Sequence, residues 1–152
     1  MESSEVMVIQ SRLGIREVRL DKVIHFPRGI IGFENMHEFT LLQIQENAPL
    51  LVLQSIQEPS LGLLVADPFA FLPDYNLTIS DAEQQILCVT DAREVAVLVT
   101  ASIPPGKPEE TALTLLGPIV VNYHARIGLQ IPQMDRGDLQ PKVFVKMREF
   151  GG

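Results

Sequence analysis

Short apolar segments separated by turn residues dominate the hydrophobic pattern of this chain. The segments are four to nine residues long and rich in Val, Ile, Leu and Thr, which is typical of β-strands. Breakers containing proline or glycine lie between them. The pattern predicts a mostly β fold, a small antiparallel barrel that is closed or nearly so. The predicted strands are residues 6–10, 18–26, 39–44, 50–56, 61–66, 75–79, 86–89, 95–103, 112–116, 119–122 and 127–131.

Residues 61–66, and residues 97–99 in the middle of the predicted strand 95–103, are apolar on both faces of the pleat. Strands that are covered on both sides have this composition, so we expect them at the centre of the barrel. The dipeptide Gly117-Pro118 is expected to end one strand before the next begins.

One interior segment carries a helix-start signal. Ser80 is followed three residues later by Glu83, the spacing of a capping box in which each side chain accepts a backbone N–H hydrogen bond from the other residue. We expect one short helix from Asp81 to about Ile86.

The length of 152 residues suits a single domain. We predict a β domain over residues 1–132 and a C-terminal tail over residues 133–152. Alternation through Val143, Val145 and Met147 favours a strand in the tail, whereas Val143, Met147 and Phe150 also fit one helical face. Both conformations stay open at this point, as does the order of the tail.

Charge is distributed unevenly along the chain, whose formal net charge is -7. Residues 29–92 contain no Lys or Arg, a distribution that repels phosphate backbones and favours a basic partner. We therefore expect no direct binding to nucleic acid. The carboxylates in this run are Glu34, Glu38, Glu46, Glu58, Asp67, Asp74, Asp81, Glu83 and Asp91.

No catalytic or metal-binding constellation stands out. His25, His37 and His124 are isolated in sequence, and no nucleotide-binding glycine motif is present. Cys88 lies between apolar neighbours, so we expect a buried, unreactive thiol. We expect no metal and no cofactor. The absence of a signal-peptide pattern and of a long apolar stretch favours a cytoplasmic protein without a membrane segment.

The segment from Asp67 to Tyr75, called the aromatic loop below, contains Phe69 and Phe71 in a chain with only nine aromatic residues. Such a loop either covers the barrel as a lid or covers it and also borders a contact surface. A competing hypothesis is a small barrel enzyme or ligand carrier, with a pocket lined by Phe69, Phe71 and Tyr75 together with Asp67 or His124.

Several motifs follow one another in order along residues 18–131. They are Phe26-Pro27-Arg28-Gly29-Ile30-Ile31-Gly32-Phe33-Glu34, Leu53-Gln54-Ser55, Asp67-Pro68-Phe69, Pro73-Asp74-Tyr75 and Gly117-Pro118-Ile119-Val120-Val121-Asn122 with Arg126, Gly128 and Gln130. Together these motifs resemble the flagellar assembly factor FliW family. Thr114 departs from the pattern, because many members carry Asn there; the departure leaves the expected fold in place.

The resemblance implies a cytoplasmic regulator without catalytic activity, monomeric when free. Family members bind newly made flagellin and, once flagellin is exported, bind the translational repressor CsrA instead. Flagellin would be accepted as an added strand or as a docked helix. The C-terminal tail is a further candidate for the CsrA contact. The residues expected at or beside a partner surface are Asp67, Phe69, Phe71, Asp74, Tyr75, Glu83 and Asn122.

Overall fold

Ten strands and one short helix make up the regular structure of the described residues. The computed structural model describes residues 5–44, 49–133, 137–138 and 140–145. The elements are β1 (Val6–Ser11), β2 (Gly14–Arg19), β3 (Ile24–His25), β4 (Glu38–Gln43), β5 (Leu50–Ser55), β6 (Gly62–Ala66), α1 (Asp81–Leu87), β7 (Val95–Ser102), β8 (Ala112–Asn122), β9 (Ile127–Gln130) and β10 (Lys142–Phe144).

Seven of the strands form a closed ring in the order β8-β7-β6-β5-β4-β3-β9, and β9 pairs back with β8. The pairings are antiparallel except that of β3 with β9, where His25 is the register partner of Ile127. The β1–β2 hairpin packs outside the ring through Ile9 and Val18. The predicted mostly β, barrel-like fold is confirmed.

Apolar side chains fill the interior of the ring. Phe26 and Phe39 are fully buried, and their rings meet edge to face with centroids 5.3 Å apart. The backbone of Gly128 on β9 lies directly against the Phe26 ring, so a side chain at this position would overlap it. Leu53, Val65 and Ile119 complete this closely packed centre.

The dipeptide Gly117-Pro118 does not end a strand, so that prediction was wrong. It lies inside β8, in a four-residue bulge opposite the single residue Val99 of β7. Neighbouring groups satisfy the bulge: the Gly117 carbonyl accepts a hydrogen bond from Gln130 Nε2 at 3.0 Å, and the Pro118 carbonyl accepts one from the Ile131 N–H at 2.9 Å. The chain therefore bends here without leaving the sheet.

Residues 75–79 are not a strand, contrary to the prediction. At Thr78 the buried side chain of Gln133 takes the place of a strand partner: its Oε1 accepts the Thr78 N–H at 2.7 Å, and its Nε2 donates to the Thr78 carbonyl at 3.0 Å. The predicted strand over residues 18–26 is likewise interrupted, by a 3-10 turn at Leu20–Lys22.

The predicted strand over residues 86–89 was also wrong, because α1 continues to Leu87. Cys88 then adopts a left-handed conformation with φ 60° and ends the helix. This turn directs Leu87 and Val89 into an apolar cluster and leaves Cys88 exposed. The expectation of a buried thiol was therefore wrong.

Part of the C-terminal tail forms a strand, one of the two conformations left open by its sequence. β10 adds to β8 with Val143 opposite Leu113, and the following Val145 is buried. The expectations for Met147 and Phe150 lie outside the described residues, as does Glu46 of the acidic run. In the described part of the chain, the helix is too short to cross a membrane.

The contact between Gly128 and Phe26 gives a test of the barrel packing. We expect Gly128→Ala to lower the free energy of unfolding by about 1–3 kcal/mol, because the added methyl group must displace a fully buried ring. Gly137→Ala is the control, since no atom lies within 4 Å of a Cβ built there. Chemical denaturation of the two variants measures the difference, and equal midpoints would contradict this packing.

Candidate partner-binding surface

One long connection, residues 67–94, leaves the barrel after β6 and returns at β7. It contains both the aromatic loop and α1, together with six carboxylates. These are Asp67, Asp74, Asp81, Glu83, Asp91 and Glu94. The only basic residue of the connection is Arg93. The connection therefore gathers much of the acidic run in one part of the molecule.

The aromatic loop folds back on the barrel. The Asp67 carboxylate accepts the Phe69 N–H at 2.9 Å and begins a 3-10 turn at Pro68–Ala70. Tyr75 is buried, and its hydroxyl donates to the Leu115 carbonyl in the β8 bulge at 2.8 Å. Phe71 packs against the same apolar cluster. The loop is thus a lid, which both alternatives expected, and its place beside a contact surface stays a prediction.

Phe69 is the most exposed of the three aromatic residues in the loop. Its ring lies edge to face on Tyr75, with centroids 5.8 Å apart, and 40% of the residue is exposed. An aromatic group held in place but open to solvent is suited to contact with a partner. A role in partner contact stays a prediction for Phe69, Phe71 and Tyr75.

The capping box of α1 is confirmed. Ser80 Oγ accepts the Glu83 N–H at 3.1 Å, and the Glu83 carboxylate accepts the Ser80 N–H at 2.8 Å. Glu83 therefore stabilises the helix in addition to any contact with a partner. Asp74, which lies within the lid, is exposed, and partner contact stays a prediction for both carboxylates.

Asn122 connects the end of α1 to the β8–β9 turn. Its Nδ2 donates to the Leu87 carbonyl at 2.8 Å, and its Oδ1 accepts the N–H groups of His124 at 3.1 Å and Ala125 at 3.2 Å. The side chain is buried, so these internal contacts position the helix. The predicted place of Asn122 beside a partner surface stays a prediction.

The return to β7 begins with a second capping box. Hydrogen bonds from the N–H groups of Thr90 and Asp91 lower the pKa of the Glu94 carboxyl. The pKa of Asp91 is lowered first by its hydrogen bonds with the Arg93 side chain and then by the Arg93 N–H. This turn fixes the position at which β7 starts.

A cleft of about 500 Å³ lies between β7, α1 and the aromatic loop. Of the predicted pocket residues, Asp67 and Phe69 line it, whereas Tyr75 is buried in the lid and His124 lies in the β8–β9 turn. The structure does not assemble the predicted ligand pocket. The lining residues are Asp67, Phe69, Leu77, Ile79, Gln84, Val89, Val95, Ala96, Val97 and Leu98.

The described residues contain no cluster of three His, Cys, Asp or Glu side chains that could hold a metal ion. His25 and His37 lie side by side, with stacked rings whose centroids are 5.9 Å apart, but each has a different hydrogen-bond partner. His25 Nδ1 lies 3.1 Å from Glu38 Oε2, and His37 Nδ1 lies 2.8 Å from the Phe26 carbonyl. The features of the described surface that lie on the 67–94 connection include the cleft, its carboxylate Asp67 and the partly exposed Phe69.

Known proteins are similar to this chain in sequence and in architecture. The model of the FliW protein family matches residues 7–143. The chain belongs to the FliW family. It is similar to the flagellar assembly factor FliW of Nitratidesulfovibrio vulgaris, with 56% identity over 144 residues, 95% of this chain and 83% of the relative. The corresponding figures for Desulfovibrio desulfuricans FliW are 51% over 142 residues, 92% and 86%.

The FliW fold is found again among solved structures. A crystal structure of the flagellar assembly factor FliW matches with a TM-score of 0.77 and 27% identity, and the match covers 93% of this chain and 95% of the other. The resemblance inferred from the motifs is thereby confirmed. In this FliW-family chain, the 67–94 connection lies within the matched region.

Asn122 provides a test of how this connection is held. We expect Asn122→Ala to lower the free energy of unfolding by about 1–3 kcal/mol, because a buried carbonyl and two N–H groups lose their partner. Asn35→Ala, the same change at an exposed residue outside the connection, should alter it by less than about 0.5 kcal/mol. Thermal or chemical unfolding gives the comparison, and an equally small effect at both positions would refute the anchoring role.

Proposed function

We propose that this chain is a flagellar assembly factor that acts by binding other proteins and catalyses no reaction. The observation that carries the proposal is the family match over residues 7–143. The relatives bear the name of an assembly factor, which describes no chemical transformation. The cleft has a mostly apolar lining, with Asp67 and Gln84 as its polar side chains, which suits a binding protein better than an enzyme.

The partners in this proposal are flagellin and the translational repressor CsrA. While unexported flagellin occupies the factor, CsrA stays free to repress translation of flagellin mRNA. Export of flagellin releases the factor, which then binds CsrA and relieves the repression. The switch couples synthesis of flagellin to assembly of the filament, and it operates in the cytoplasm, where translation occurs.

The distribution of charge supports a basic partner for the 67–94 connection. Its single basic residue, Arg93, is held by Asp91 through an ion pair of 2.7 Å, so the remaining carboxylates are not neutralised within the connection. Asp67, Asp74 and Asp81 are exposed. A protein that grips RNA must be basic at the RNA-binding surface, and an acidic surface steers such a partner toward it.

The electrostatic part of the proposal predicts a salt-dependent effect. We expect Asp74→Asn combined with Glu83→Gln to weaken CsrA binding by about three- to tenfold at low ionic strength, with a smaller difference at high salt, because screening removes the same attraction. Glutamine at position 83 preserves the capping box. Surface plasmon resonance at two salt concentrations measures the association rate and the affinity.

The matched control is Glu109→Gln combined with Glu110→Gln. It changes the net charge by the same amount at two exposed residues outside the connection, and it should leave CsrA binding nearly unchanged. If both double variants bind like the unmodified chain at both salt concentrations, Asp74 and Glu83 do not belong to the surface. A chain that binds neither CsrA nor flagellin would contradict the proposed function itself.

A further inference from the structure

The first four residues of β7 have a paired strand on one side only. β6 and β7 are joined by two register pairs, Val65 with Thr100 and Ala66 with Val99. After Ala66 the chain leaves the sheet and enters the aromatic loop. β7 begins at Val95, four residues before the Val99 that pairs with Ala66, so β6 does not reach the start of β7. The segment Val95–Leu98, called the open edge below, therefore has β8 on one side and the cleft on the other.

The hydrogen-bonding direction of the open edge follows from the neighbouring ladders. Ile131, the first residue after β9, donates its N–H to the Pro118 carbonyl. Because successive residues of a strand bond to opposite neighbours, the even-numbered residues in this half of β8 bond to β9. The odd-numbered Ile119 bonds to β7, where Leu98 is its register partner. Since this direction alternates along a strand, Val97 and Val95 direct both their N–H and C=O groups toward the cleft.

Pro68 explains why β6 does not cover this edge. Continuing the register of Ala66 with Val99 would place Pro68 opposite Val97. Proline has no N–H to give to the Val97 carbonyl, and the Asp67 carboxylate instead stabilises the 3-10 turn that carries the chain away. No described residue supplies a hydrogen bond to the cleft-facing backbone groups of Val95 and Val97.

The walls of the cleft suit a peptide in the extended conformation. Side chains on both faces of the open edge reach it, and Phe69, Leu77 and Val89 supply the opposite wall. Four strand residues span about 13 Å. A docked helix has no free backbone groups along its side to pair with a strand edge, whereas an added strand does.

We infer that the open edge of β7 is a site of β-strand addition, which takes a short extended segment of the partner with apolar side chains and an adjacent basic residue. The apolar walls of the cleft suit apolar side chains of the partner. Asp67, which lies in a connection with few positive charges, suits an adjacent basic residue. The inference rests on the proposed function, under which the occupant is a terminal segment of flagellin that is unfolded before assembly.

Amide hydrogen exchange of the full chain, followed by NMR, tests this site residue by residue. In the free protein, Val95 and Val97 should exchange quickly, whereas Ala96 and Leu98, bonded to β8, should be protected. Saturation with monomeric flagellin should slow Val95 and Val97 by at least about tenfold and leave the two control amides little changed. Flagellin binding without this protection would overturn the inference and leave the proposed function intact.

The same experiment with CsrA decides between the two partners. Protection of Val95 and Val97 by CsrA but not by flagellin would overturn the assignment of the occupant. Absence of binding by either protein would contradict the proposed function and the inference together.

A pair of proline variants gives a second test by affinity. Val97→Pro removes an N–H that faces the cleft and takes no part in the β8 ladder, a position at which an edge strand accepts proline. We expect it to weaken flagellin binding by about tenfold or more, because a backbone donor is lost where the added strand must approach. Circular dichroism and retained CsrA binding establish that the variant is folded.

Val8→Pro is the matched control. The Leu20 N–H donates to the Glu5 carbonyl, so odd-numbered residues of β1 bond to β2 and the Val8 N–H points outward. Val8 is exposed on the hairpin, and this variant should bind flagellin like the unmodified chain. If the folded Val97→Pro variant binds flagellin equally well, the open edge is not the site.

Discussion

The separation of β6 and β7 after two residue pairs is the constraint on which the rest of the structure depends. The barrel closes elsewhere through the β8–β9 pairing, so this separation does not open the fold. It instead requires the chain to travel outside the barrel from Asp67 to Glu94 before it can begin β7. The aromatic loop and α1 consequently both border one cleft, and Asp67 is the carboxylate that lines it.

Three buried polar contacts hold this external connection against the barrel. The Tyr75 hydroxyl bonds to the β8 bulge, the Gln133 amide bonds to both backbone groups of Thr78, and Asn122 bonds to the carbonyl at the end of α1. Each anchor satisfies a backbone group that lacks a strand partner, which would otherwise be costly. The anchored connection presents Phe69 and the acidic residues in a defined arrangement, which lowers the entropic cost of binding a partner.

Local signals were sufficient to predict the barrel and the helix. Alternating β-branched segments and their breakers indicate short strands, and the Ser80–Glu83 spacing identifies the helix start, because both depend on residues close in sequence. Interactions across the sequence account for the errors. Gln133 lies 55 residues from Thr78, and no local pattern reveals that its side chain replaces a strand partner.

The candidate site could be predicted only in part, because some of its features depend on residues that are distant in sequence. The aromatic loop and the acidic run are visible in composition, but the open edge depends on the register between β6 and β7. Pro68 is the signal that was available, because proline marks the end of strand pairing. Pro68 matters because Val97 would be its register partner if β6 continued, and this pairing is not visible in the sequence. The exposure of Cys88 does not follow from its apolar neighbours, because it depends on the left-handed conformation with which this residue ends α1.

In the proposed switch, flagellin binds the open edge and CsrA binds the neighbouring carboxylates of the same connection. We therefore expect binding of one partner to oppose binding of the other. The most direct measurement is isothermal titration of the purified chain with CsrA, alone and after saturation with monomeric flagellin. We predict that flagellin weakens CsrA binding by at least about tenfold. An unchanged CsrA affinity, with both proteins bound to the same chain, would contradict the account.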